Sequence, residues 1–222
     1  MNMKQKLYLL VVGISIVGAM TIGLLGRKTF TDVCKEEDYV SHFYVAELPE
    51  DIVETVVEEL EEQLEKAPYI LIVTPAKEMD YFFHSGCQEV FVQEVKKGPT
   101  ELTDRIISLS FRSWSIVKYD KQITMQCGFV NRMQAGVSYL VFLEEPYEAA
   151  NRKEIYPFCA DNFLAPMFRT DNVENVVYPT DAFTTYVPYQ EVRDNEFFVT
   201  TEKGLAMLLS FKQKMLEKYE GR

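Results

Sequence analysis

Near the start of the chain, Leu7 to Leu25, LYLLVVGISIVGAMTIGLL, forms nineteen residues without a charge. As a helix rising about 1.5 Å per residue, it is long enough to cross the hydrocarbon core of a bilayer. The pattern then breaks, and Thr29 to Leu48 reads as a linker containing Cys34 and the acidic cluster Glu36, Glu37 and Asp38. From Pro49 to Lys66 the period is helical. Ile52, Val53, Val56, Val57, Leu60 and Leu64 share one face, and Glu54, Glu58, Glu61, Glu62 and Glu65 cover the other. Pro49 suits a first-turn position, Glu50 and Asp51 favour the positive helix end, and Ala67-Pro68 stops the helix.

Shorter periods follow. Tyr69 to Val73 is an apolar run, Gln88 to Val95 alternates Val and Phe with Glu and Gln, and Arg105 to Phe111 alternates Ile and Leu with Ser. Lys118 to Met125 predicts a hairpin, and Ser138 to Leu143, SYLVFL, predicts a central strand because it is apolar throughout. A long stretch from Glu144 to Asp194, punctuated by Pro166, Pro179 and Pro188, reads as irregular, with Phe197 to Val199 as one last strand. A helix from Thr201 to Tyr219 closes the chain. It places Leu205, Leu208, Leu209, Phe211, Met215, Leu216 and Tyr219 on an apolar face, with Lys203, Lys212, Lys214 and Lys218 opposite.

These elements predict a mainly β domain with flanking helices, an α+β fold, over residues 49–222. It follows a membrane segment at 1–28 and a linker at 29–48. With 222 residues and 47% hydrophobic content there is material for one domain with a proper core. Lys4 and Lys6 precede the apolar run and Arg27 and Lys28 follow it, so flanking charge nearly balances. A short basic tail ahead of an apolar run is how exported proteins begin, which places the N-terminus inside and the domain outside the cytoplasm. Val17-Gly18-Ala19 offers a cleavage alternative in which the domain is secreted, but the apolar run continues past it, favouring a retained single-pass anchor in contact with the bilayer through residues 7–25. Ser15, Ala19 and Gly23 recur every fourth residue, a small-residue stripe ordinary in membrane helices.

Charge narrows the partners. Four of the 23 Lys and Arg lie in the first 28 residues, which hold no acid, so the remainder carries 34 acids against 19 bases, a net charge of −15. That field disfavours nucleic acid and anionic lipid surfaces and leaves protein and glycan partners open. The glutamate-rich helix face is read as solvated.

Cys34, Cys87, Cys127 and Cys159 are widely spaced, without the paired spacing of a zinc site. An even count in an exported domain predicts two disulfides of open connectivity, whereas a cytoplasmic domain would keep the thiols reduced. His84 and Cys87 in FFHSGCQ, near Asp80, offer a thiol nucleophile with a base, weighed against a turn histidine beside Gly86 and a disulfide or buried strand cysteine. No hydrolase, Walker, Rossmann or HExxH pattern is present, and the sequence implies no metal, no cofactor and no enzyme activity. Trp114 and the tyrosines of the irregular stretch, Tyr147, Tyr156, Tyr178, Tyr186 and Tyr189, either contact a partner or pin the long loop to the sheet. Trp114, Tyr186 and Tyr189 are the binding candidates.

Cys127-Gly128, Met133, Gly136, the strand SYLVFL and then Cys159 in FCADNFLAP together resemble the pattern of netrin-like domains and tissue inhibitors of metalloproteinases, over roughly Tyr69 to Pro166. The resemblance implies a small closed OB-type β-barrel with a helix against it, Gly128 and Gly136 serving at its corners. Those inhibitors chelate a protease zinc through a free N-terminal cysteine, whereas Cys34 is internal, so the resemblance concerns fold alone. The sequence therefore predicts a membrane-tethered, extracytoplasmic binding module. Its alternatives are a cysteine-dependent enzyme using Cys87 and His84, and a scaffold subunit assembled through the membrane helix.

Overall fold

A computed structural model of the protein describes residues 2–29, 39–82, 85–112, 114–119, 122–149, 152–159, 164–178 and 186–220. The chain divides into two compact units, Met1–Val40 and Ser41–Arg222. The first is dominated by helix α1, Met3–Thr29, whose apolar side chains are exposed along its length. It is long and apolar enough to span a membrane, and a signal sequence shares both properties. Thr21 Oγ1 donates to the Val17 carbonyl at 2.8 Å, which satisfies that hydroxyl within the helix without solvent.

The second unit is mixed α/β. Its strands are β1 (Tyr44–Ala46), β2 (Tyr69–Pro75), β3 (Asp80–Phe82), β4 (Ser85–Lys97), β5 (Ile106–Phe111), β6 (Trp114–Tyr119), β7 (Gln122–Cys127), β8 (Tyr139–Leu143), β9 (Tyr147–Ala149), β10 (Arg152–Pro157), β11 (Met167–Arg169) and β12 (Tyr186–Pro188). Helices α2 (Glu50–Lys66), α3 (Tyr189–Val192) and α4 (Glu202–Glu220) complete it. An eight-stranded sheet runs β11-β8-β2-β4-β5-β10-β9, with β3 paired to β4 off that path. A four-stranded sheet runs β12-β1-β7-β6.

The apolar run SYLVFL does form a central strand: β8 is buried at all five positions and paired on both sides, by β2 and β11. Its Phe142 meets Tyr219 of α4 edge-to-face at 5.4 Å, while Phe168 of β11 meets Phe211 of α4 at 5.7 Å. The C-terminal helix thus packs on the sheet through aromatic rings. Lys203, Lys214 and Lys218 of α4 reach across to Glu50, Glu61 and Glu65, so part of the acidic face of α2 is matched by its neighbour helix.

Four sequence expectations need correction. The eight-stranded sheet is open, and its ladders do not form the expected closed barrel. The cause lies at β8: β11 takes the edge of β8 from Tyr139 to Val141, leaving only its end for the chain after β10. There a single antiparallel bridge, Leu143 to Phe158, is framed by Glu144 N–H to the Pro157 carbonyl at 2.8 Å and Cys159 N–H to the Phe142 carbonyl at 3.0 Å.

The linker expected up to Leu48 is also partly structural. β1 sits inside the small sheet, parallel to β7 and antiparallel to β12, with Val45 fully buried. The stretch from Glu144 to Asp194 is not wholly irregular, since it contributes β9, β10, β11, β12 and α3. These are mostly three-residue strands, too short to register as an alternating pattern. Phe197 to Val199 makes two isolated bridges, to Val130 and Leu48, in place of the expected strand. Gly128 and Gly136 adopt positive φ, +56° and +79°, which their expected place at chain reversals requires.

Candidate functional site

The cysteines fall in two places. Cys127 ends β7 in the small sheet, opposite Trp114, while Cys87 on β4 and Cys159 after β10 belong to the large sheet. All three are buried, and no disulfide joins them, which corrects the expected pairing for the described cysteines. Ladder register supplies the reason. Cys87 and Pro157 both stand opposite Ser110, so β5 separates the two strands. Two strand spacings are about 9.6 Å, beyond the roughly 7 Å between Cα atoms that a disulfide spans. Burial pushes the Cys127 thiol well above its ordinary range, the opposite of what a nucleophile needs. Cys34 and His84 lie outside the described residues.

The three candidate aromatics converge on the small sheet. Trp114 begins the edge strand β6, Tyr186 begins the opposite edge strand β12, and Tyr189 starts α3 directly after it. Tyr189 is buried, stacks edge-on against Phe198 at 6.4 Å and donates to Asn131 Oδ1 at 3.0 Å. It pins the chain rather than presenting a ring. Tyr156 acts alike, buried at 5.3 Å from Tyr69, whereas Tyr147 is 44% exposed.

A buried polar network escaped the sequence reading. Lys212 Nζ lies 2.6 Å from Glu196 Oε2, and their side chains are only 4% and 2% exposed. Glu196 Oε1 also accepts from the Arg169 N–H at 2.8 Å, and Lys212 donates a second bond to the Asp171 carbonyl at 2.8 Å. Arg169 grips both carboxylate oxygens of Asp171 at 2.8 Å and donates to Gln134 Oε1 at 2.9 Å. That grip holds the Asp171 carboxyl below its usual range, while burial pushes the Glu196 carboxyl up against the pull of Lys212. Asn175 Oδ1 accepts from the N–H groups of Glu196 and Phe197, and Asn195 brackets Val176 through its N–H and carbonyl. The network fastens α4, β11, the segment after it and the Asn131–Gln134 turn to one another. Its charges are matched, so its chemistry is that of a clasp. The signal was in the helical wheel: Lys212 follows Leu208 by four residues and precedes Met215 and Leu216, which puts it on the apolar face.

Two buried side-chain oxygens have no donor among the described residues, Glu47 Oε2 and Gln88 Oε1. Gln88 on β4 keeps its amide hydrogens occupied by the Lys77 carbonyl at 3.0 Å. Glu47 follows β1 directly and is 2% exposed, and burial raises its carboxyl pKa to about 7. Among the described residues no three His, Cys, Asp or Glu side chains converge as a metal centre. Neither family models nor curated protein sequences show a match to this chain.

Proposed function

We propose that the chain is a single-pass, membrane-tethered module that works outside the cytoplasm by binding a protein or glycan partner through an OB-type β-barrel. The barrel reading is supported by connectivity. β2 lies between β4 and β8, β4 is antiparallel to β5, β5 is parallel to β10, and the chain after β10 returns to β8 at the Leu143–Phe158 bridge. Five strands in that order, the last meeting β8 across a single bridge, support an OB-type reading of this open sheet. The tether reading rests on α1 alone, because the buried thiols withdraw the disulfide argument for export.

The observation that carries the binding reading is on the face of β4 and β5, the second and third strands of that order. Phe91 and Ile106 stand opposite each other in the ladder, and Ile106 is 58% exposed on a strand otherwise rich in buried positions. Tyr147, the first residue of β9, lies against the same strand, its hydroxyl 3.4 Å from Ser110 Oγ. Apolar and aromatic groups on that face suit a protein or sugar surface, and the acidic surroundings oppose nucleic acid.

A photo-crosslinking residue placed at Ile106 in living cells tests this. A discrete adduct is expected from a probe at position 106 and from a probe at Phe91, the latter lost on Ile106→Asp, with none from a probe at Glu58 on α2. Equal labelling from both faces, or none from Ile106, would remove the binding reading.

A further inference from the structure

We propose that Glu47 is a proton-operated latch on β1: its neutral carboxyl lets β1 sit between β7 and β12, and its ionisation loosens that strand. This goes beyond the binding reading and does not depend on it.

The geometry starts with register. Val45 pairs with Val187 of β12 and Met125 of β7, and all three are fully buried. Side chains two apart on an extended chain share a face, so Glu47 points with Val45 into that apolar layer. The next residue, Leu48, is fixed by its N–H to the Phe198 carbonyl at 2.9 Å and by accepting from the Thr200 N–H at 3.2 Å. The carboxyl is therefore held at the end of a strand clamped on both edges, with no described donor for Oε2.

Among the described residues no counter-charge acts on the Glu47 carboxyl, burial being the one cause of its shift. His42 and Tyr44 lead into and begin its own strand, Cys127 ends β7, Tyr186 lies on β12, and Tyr189 and Glu191 lie on α3. The cations nearby in the fold are engaged elsewhere: Arg132 with Tyr189 and Glu78, Lys203 with Glu50, and Lys212 with Glu196. Burial alone raises the Glu47 pKa to about 7 from its ordinary value of 4.5.

The sign follows. The closed state keeps its proton up to about pH 7, whereas a hydrated, opened state gives it up near pH 4.5, so opening becomes easier as pH rises between those values and levels off above. β1 is a short element whose release admits water to the carboxyl, because only three ladder pairs hold it to β12 and two to β7.

Amide hydrogen exchange on the full-length protein in detergent micelles, corrected for intrinsic rates, reads the latch directly. Protection of Val45 and Leu48 should fall by more than about tenfold from pH 5 to pH 7 and then level off. In Glu47→Gln the same amides should show no such fall, and Glu47→Leu should repeat that result. A wild-type profile flat with pH, an unchanged slope in either variant, or an equal fall at Leu140 in the centre of β8 would overturn the proposal.

Discussion

Lys212 and Glu196 show how a charge pair becomes part of a core. Each is hydrogen-bonded twice, and each would be left without its counter-charge if the other were lost. Lys212→Ala should therefore cost about 3–5 kcal/mol in urea unfolding, because it strands a buried carboxylate. Lys212→Met combined with Glu196→Gln should recover most of that, since a glutamine oxygen still accepts from the Arg169 N–H and methionine fills the volume of the lysine stem. Equal losses in the single and double variants would show that packing, not pairing, makes the site sensitive. Of the side chains that matter here, the sequence revealed the apolar ones and hid the polar ones. Phe142 and Phe211 stand out by period, whereas Phe168 falls in a three-residue strand, Arg169 and Glu47 are buried only because distant segments supply their partners or cover them, and Lys212 shares the apolar face of α4 despite its charge.

Among the elements, β1 changes where the folded domain begins. A boundary at Pro49 would remove the strand that joins β7 to β12, and with it the Leu48–Val199 bridge. A protein starting at Ser41 should unfold cooperatively, while one starting at Pro49 should lose near-ultraviolet circular dichroism or precipitate. Matching transitions for the two would mean that β1 is an ornament on the sheet. The long elements were legible beforehand: α2, α4, β2, β4, β5 and β8 carry enough periodic residues to declare themselves. β9, β11 and β12 do not, because three residues hold barely one alternation and their pairing is set by partners far along the chain. The expected closed barrel failed for a related reason: β11, invisible in sequence, occupies the β8 edge on which closure depends.

At the level of the whole molecule, a helix with a charge-free run from Leu7 to Leu25 precedes an acidic domain whose described cysteines are buried thiols, and the functional reading turns on which side of the membrane that domain occupies. A net charge of −15 beyond residue 28 disfavours contact with anionic lipid and nucleic acid, but it does not choose a side. The most direct measurement is protease shaving of intact cells followed by mass spectrometry of the released and membrane-retained peptides. Peptides from the 41–222 unit should be released from intact cells, with α1 retained in the membrane fraction. Protection of those peptides until the cells are lysed, or a soluble protein whose N-terminus begins after Ala19, would contradict a membrane-tethered module outside the cytoplasm.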